Sequence, residues 1–157
     1  MTDPSASGVL RAQGVRLGQQ AVDKWDAVRQ SGALLLELGA AEAGYAEAML
    51  EREHSVSTFI GEGVAIPHGT DASRGLVRRT TLGVLQYPAG VDWDGNEVKV
   101  CVAIASSGEE HVAVLSALAQ ILMEPDEAER LRSAIDVDDV LELLGGIDQD
   151  THEETSA

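Results

Sequence analysis

Apolar positions change their spacing twice along the chain, from helical to alternating and back. Val9, Val15 and Leu17 form a weak apolar–polar alternation that predicts an opening strand. Asp23 then stands as an N-cap, with acidic Asp26 three residues on. Trp25, Val28, Leu35 and Leu36 follow at near-helical spacing, and Gly39 ends the segment. A second helix is predicted from about Ala41 to Arg52, with a buried stripe of Tyr45, Met49 and Ala46 or Leu50. Beyond it the period shortens. Residues 56–61 and 64–66 are short β-prone stretches, and 80–86 and 98–105 read as strands. The last of these, VKVCVAIA, is apolar on both faces beyond its lysine, as a central strand covered on both sides must be. Tyr87-Pro88-Ala89-Gly90 and Asp94-Gly95-Asn96 carry turn chemistry between those strands.

Helical spacing returns in the last third. Ser107 with Glu110 is a capping box opening a helix through Val112, Leu115, Leu118 and Leu122. Pro125 suits the first position of a shorter helix with Leu131 on its inner side. Asp138, Val140, Leu141 and Leu144 form a closing helix, stopped by Gly145-Gly146. Helices, strands and helices again predict an α/β fold of the α+β kind: a mixed parallel/antiparallel sheet flanked by helices on both faces.

Composition narrows the class. The chain has 157 residues, 44% of them hydrophobic, which suits one globular domain with a proper core. No apolar run approaches the roughly 20 residues of a membrane span, and the N-terminus does not read as a signal peptide. We expect a flexible tail over residues 1–7, a domain over 8–146 and an acidic disordered tail over 147–157. The lone cysteine, Cys101, fits a reducing cytoplasm and reads as a buried, inert thiol. A net charge of −16 argues against nucleic acid and anionic membranes and suits a basic protein partner, or simply solubility. From Glu124 onward 12 acidic and 2 basic side chains concentrate that charge.

Few residues carry candidate chemistry. His152, in the tail, and His54, after the second helix, read as surface residues. His68 sits in Gly61-Glu62-Gly63-Val64-Ala65-Ile66-Pro67-His68-Gly69-Thr70. A strand runs into Pro67, which stops the hydrogen-bond ladder, and Gly69 lets the backbone turn. Such an arrangement pushes an imidazole out of a strand end, where an incoming group can reach it. A neutral imidazole is a nucleophile able to take a phosphoryl group; the other reading is a histidine hydrogen-bonded in a turn. His111 lies in the first turn of the helix capped by Ser107, where amide N–H groups favour an anion, and is either a donor to phosphoryl oxygens or a surface histidine. Arg52 either caps its helix C-terminus or holds phosphoryl oxygens in its guanidinium fork. One cysteine and no paired histidines give no metal site, and no P-loop or GxGxxG occurs. Neither a metal nor another cofactor is expected. Arg74, Arg78 and Arg79 read as a solvated turn, and Trp93 as a core or turn aromatic.

With these residues assembled, the chain resembles the mannitol/fructose-type enzyme IIA domains of the sugar phosphotransferase system, the mannitol kind most of all. The matching stretches are Tyr45–Glu53, Gly61–Thr70, Gln86–Val91, Glu110-His111 and Asp138–Gly145, covering about residues 8 to 146. The resemblance implies a cytoplasmic phosphocarrier. His68 would accept phosphoryl, on its tele nitrogen, from phosphorylated HPr. It would pass the group to a cysteine of a IIB domain, driving uptake of mannitol, a related polyol or fructose. It further implies that Arg52 and His111 stabilise the phosphoryl group. Glu62, at a family-typical position, would orient an imidazole or arginine, or act as a structural cap. With no IIB or membrane portion attached, a free-standing subunit is expected. The alternative is a regulatory module of the same ancestry that binds a kinase or transcription factor according to its phosphorylation state.

Overall fold

The computed structural model describes residues 9–106 and 109–144. Five strands form one mixed sheet in the order β1-β4-β5-β3-β2, from β1 (Leu10–Arg16), β2 (Phe59–Gly61), β3 (Val64–Ala65), β4 (Thr81–Trp93) and β5 (Asn96–Ala105). β1 runs parallel to β4 and β3 parallel to β5; the β2–β3 and β4–β5 pairs are antiparallel. Helices α1 (Lys24–Glu37) and α2 (Tyr45–Ser55) pack on one face. Helices α3 (Glu109–Leu122), α4 (Pro125–Ser133) and α5 (residues 137–144) pack on the other.

The expected central strand is β5, buried from Val100 to Ala105. Its residues alternate between two cores: Val100, Val102 and Ile104 belong to one, Cys101, Ala103 and Ala105 to the other. That is the period-2 geometry of a strand covered on both faces. Asp23 caps α1 as expected, its carboxylate accepting from Asp26 N–H at 2.8 Å. Pro125 opens α4, and Leu131 is buried.

Several expectations are corrected. Tyr87–Gly90 is not a turn between strands but an irregularity inside one. β4 is in register with β5 up to Gln86↔Val100, bulges, and resumes at Val91↔Val98. Pro88 has no N–H to give the ladder, so the chain leaves it there, while buried Tyr87 anchors the bulge. The true turn is Asp94-Gly95, both at positive φ (56° and 94°), a two-residue hairpin of the I′ kind. α2 starts at Tyr45, later than expected, because Ala41 is held in a bridge to Val77. Leu36 and Val112 lie on exposed helix faces, and Leu34 takes the core place beside Leu35. The Ser107–Glu110 box and the Gly145-Gly146 stop lie outside the described residues.

Candidate functional site

The site forms where β3 runs out. β3 pairs with β5 at Val64↔Val100 and Ala65↔Cys101. Pro67 then ends regular pairing, although Ile104 N–H still reaches Pro67 O at 2.9 Å and His68 keeps a single parallel bridge to Ile104. His68 is therefore recessed rather than thrust outward, with 8% exposure. This corrects the expectation of a protruding ring. The strand pairing that Pro67 interrupts is not abolished, and it holds the residue in the sheet.

The imidazole has a defined orientation. His68 Nδ1 lies 2.8 Å from Ile66 O. A carbonyl only accepts, so Nδ1 carries the proton and donates, and the lone pair of the neutral ring belongs to Nε2. The ring lines a cavity of about 220 Å³ shared with Glu51, Arg52, Ser55, Gly69, Thr70 and Asp71. Glu51, Ser55 and Asp71 are exposed, so the cavity opens to solvent along its rim.

Arg52 arrives from the last turn of α2. Its Nη1 donates to Val56 O at 2.6 Å, which caps the helix. A guanidinium has five N–H donors, so this cap leaves most of the fork's donors for the cavity. The two readings of Arg52 are thus compatible in one side chain. Behind Arg52, Glu53 is buried. Its carboxylate accepts from Thr58 N–H at 3.1 Å, Thr58 Oγ1–H at 2.5 Å and Trp93 Nε1–H at 3.0 Å, with Lys24 Nζ at 3.5 Å. These bonds fold residues 56–58 back over the helix end, which brings Val56 O to Arg52.

Tyr45 opens α2 and passes beneath the His68 turn. Its hydroxyl donates to Ile104 O and accepts from Gly69 N–H, both at 3.0 Å. Burial raises the phenol pKa above its usual value of 10, and the Gly69 N–H opposes that shift in part. Gly69 must be glycine: a Cβ there would overlap Ser73 Oγ and come within 2.5 Å of Tyr45 Cε1. Sequence reading placed Tyr45 in the core stripe and missed both its hydroxyl's task and Glu53. The legible signals were a phenol on a buried stripe, which needs a polar partner, and a carboxylate on that same stripe eight residues further on.

The family described as phosphoenolpyruvate-dependent sugar phosphotransferase system, EIIA 2, matches residues 8–146. The chain belongs to that family. As a type-2 EIIA domain it is 37% identical over 141 residues to the mannitol-specific phosphotransferase enzyme IIA component of Halalkalibacterium halodurans, covering 90% of this chain and 97% of that one. It is 41% identical over 138 residues to the multiphosphoryl transfer protein of Escherichia coli O157:H7, covering 87% of this chain. That protein is longer, and the chain spans 37% of its length. Among solved structures, enzyme IIAMtl in its complex with phosphorylated enzyme IIBMtl from Escherichia coli aligns with a TM-score of 0.81 at 34% identity, over 87% of this chain and 99% of that one.

The other residues expected in this EIIA domain fall as follows. Glu62 lies in the β2–β3 turn at φ 54° and is not one of the residues lining the cavity. Its carboxylate is 3.6 Å from Arg132, whose Nη1 also donates to Glu62 O at 2.6 Å. Glu62 therefore meets an arginine from α4, not Arg52 or His68. His111 belongs to the first turn of α3 by its backbone; its side chain lies outside the described residues. His54 is exposed, with its ring 5.8 Å from that of Trp25. Trp93 is core. Arg74, Arg78 and Arg79 are exposed as expected, yet Arg79 Nη2 donates to Leu38 O at 2.5 Å and closes the end of α1. Among the described residues no helix is long and apolar enough to cross a membrane.

Proposed function

We propose that this EIIA domain is a cytoplasmic phosphocarrier of mannitol uptake, taking phosphoryl from phospho-HPr on Nε2 of His68 and giving it to a cysteine of a IIB domain. The observation that carries the reading is the bond from His68 Nδ1–H to Ile66 O. With Nδ1 donating, the lone pair of a neutral ring belongs to Nε2, and His68 and Arg52 line one cavity. In the forward step that pair attacks phosphorus in line. A new N–P bond forms as the donor's P–N bond breaks, and the bonding pair returns to the HPr imidazole. In the onward step a IIB thiolate attacks, an S–P bond forms, and the pair returns to Nε2. The donor is already activated, so positioning and charge stabilisation suffice. Arg52 supplies guanidinium donors to the phosphoryl oxygens, and His111 a further donor from the α3 start. Glu62, tied to Arg132, takes the structural-cap role in the β2–β3 turn.

The mannitol-specific relative and the likeness to an enzyme IIA bound to phosphorylated IIB support this substrate and acceptor. The net charge of −16 suits a basic donor protein. Phosphoenolpyruvate, enzyme I and HPr should load one acid-labile, alkali-stable phosphate per chain, and His68→Ala should load none. Arg52→Ala should slow loading by about 10²-fold. Label should then pass to a mannitol-type IIB domain. A wild-type chain that takes no label, or a His68→Ala chain that does, would disprove the assignment; label that loads but never passes on would favour a regulatory role.

A further inference from the structure

Ile104 N–H on Pro67 O makes one half of the parallel His68–Ile104 bridge, and Gly69 N–H facing Ile104 O makes the other. The Tyr45 hydroxyl stands on both groups of that second half, 3.0 Å from each. We propose that Tyr45 is a positioning residue for phosphoryl transfer: its phenol clamps the backbone just after His68 to β5 and so holds the imidazole on the Arg52 cavity. This rests on the phosphocarrier reading of His68.

Three further observations converge on the clamp. Tyr45 is 2% exposed, so water cannot replace the hydroxyl at little cost. Gly69 lies against the phenol ring with no room for a side chain, so ring and backbone are already in contact before the hydrogen bonds are counted. The segment is braced again downstream, where Ser73 Oγ–H donates to Thr70 O at 2.6 Å. The His68 ring is thus held from two sides. Ile66 O sets its rotation from before the residue, and the Tyr45 hydroxyl sets the backbone after it. Neither bond touches phosphorus. The phenol acts through the place and tautomer of His68, which in-line transfer requires to within a fraction of an ångström.

Tyr45→Phe keeps the ring and removes the hydroxyl. Tyr87→Phe is the matched control: Tyr87 is 1% exposed and donates to Gln30 Oε1 at 2.9 Å, but does not line the cavity. With phospho-HPr as donor, Tyr45→Phe should lower the maximal loading rate about tenfold or more, with little change in the HPr concentration at half-rate. Tyr87→Phe should lose stability without losing rate. A structural role alone does not alter the His68 tautomer, so the second readout is 15N NMR of the imidazole. Wild type should show protonated Nδ1, and Tyr45→Phe a mixture of tautomers. Unchanged imidazole signals, or a rate loss equal to that of Tyr87→Phe, overturn the proposal. A wild-type chain that takes no label defeats the phosphocarrier reading, while the NMR comparison still decides the clamp. Should Tyr45→Phe not fold, the chain's only other tyrosine can be removed. Tyr87→Phe protein grown on 3-fluorotyrosine then reports from Tyr45 alone. Its 19F signal should shift as His68 is protonated and stay still in Tyr87→Phe/His68→Ala; a signal blind to His68 also overturns the clamp.

Discussion

The two faces of the sheet are built from different materials. Among the described residues, the hydrophobic core under α3, α4 and α5 is aliphatic: Val64, Leu82, Val100, Val102, Ile104, Leu118, Leu131 and their neighbours, with buried Gln86 as a polar exception that donates to Arg132 O and Ala134 O. The core under α1 and α2 holds Tyr45, Tyr87, Trp93, Met49 and Cys101. Buried Glu53, Ser31 and Thr58 lie on the same side, bonded into it. Aliphatic packing is strong and non-directional, so it supplies adhesion without fixing angles. Buried hydrogen bonds are directional and costly to leave unmade, so they fix angles at little net gain in stability. Arg52, Glu53 and Tyr45 all come from α2, so the face rich in directional bonds is the one that holds the candidate site.

That contrast can be broken most severely at Glu53. Glu53→Ala removes the acceptor of Thr58, Trp93 and Lys24 together, and should cost roughly 3–5 kcal/mol in urea unfolding. It should also slow phosphoryl loading in the surviving folded protein, because residues 56–58 no longer hold Arg52. On the opposite face, Leu118→Ala should cost about 3 kcal/mol through lost transfer energy and a cavity. It should leave the loading rate of folded protein unchanged. Equal effects on loading from the two variants would erase the distinction between the faces.

A smaller effect separates the faces by pH. Burial raises the pKa of both Tyr45 and Tyr87 above the usual 10, Tyr87 the more so, with the Cys101 and Asp26 charges adding to it. The folded chain keeps these protons where the unfolded chain releases them. Stability is therefore intact below pH 10 and falls as pH climbs past it, by up to about 1.4 kcal/mol per pH unit for each phenol. Urea midpoints measured at pH 9 and 11 should converge in the Tyr45→Phe/Tyr87→Phe double variant. The smallest effect is an absence of reaction. Cys101 is fully buried, and burial and the Glu53 charge raise its thiol pKa. A thiol reagent should leave native protein unlabelled and react once per chain in urea. Fast native labelling would show that the polar face opens far more readily than its bonding suggests.

Much of this architecture was legible along the chain. Hydrophobic spacing is a local property, and it announced the central strand, the order of the elements, the Asp23 cap and the Pro125 helix start. The Gly61–Thr70 block announced its histidine, because a proline and a glycine around an imidazole have local meaning. Local meaning also misled. Pro88 and Gly90 read as a turn, although the flanking strand pairs override them and leave a bulge. Glu62 was expected to orient an imidazole or arginine or to act as a structural cap, and its partner proves to be Arg132, 70 residues away, which no local pattern announced.

The chain alone determined most of the helices and strands, though not the course of β4 through Tyr87–Gly90 or the start of α2, and which imidazole to watch, since these follow from the chemistry of a few adjacent residues. Only the tertiary structure decided that His68 is recessed, that Ile66 O assigns its proton to Nδ1, and that a phenol 24 residues earlier bonds the very next amide. Those facts depend on which strand lies beside which, and a hydrogen bond between distant residues leaves no period in the sequence. Pairing β3 with β5 creates the His68–Ile104 bridge, and α2 lying across it brings Tyr45 there.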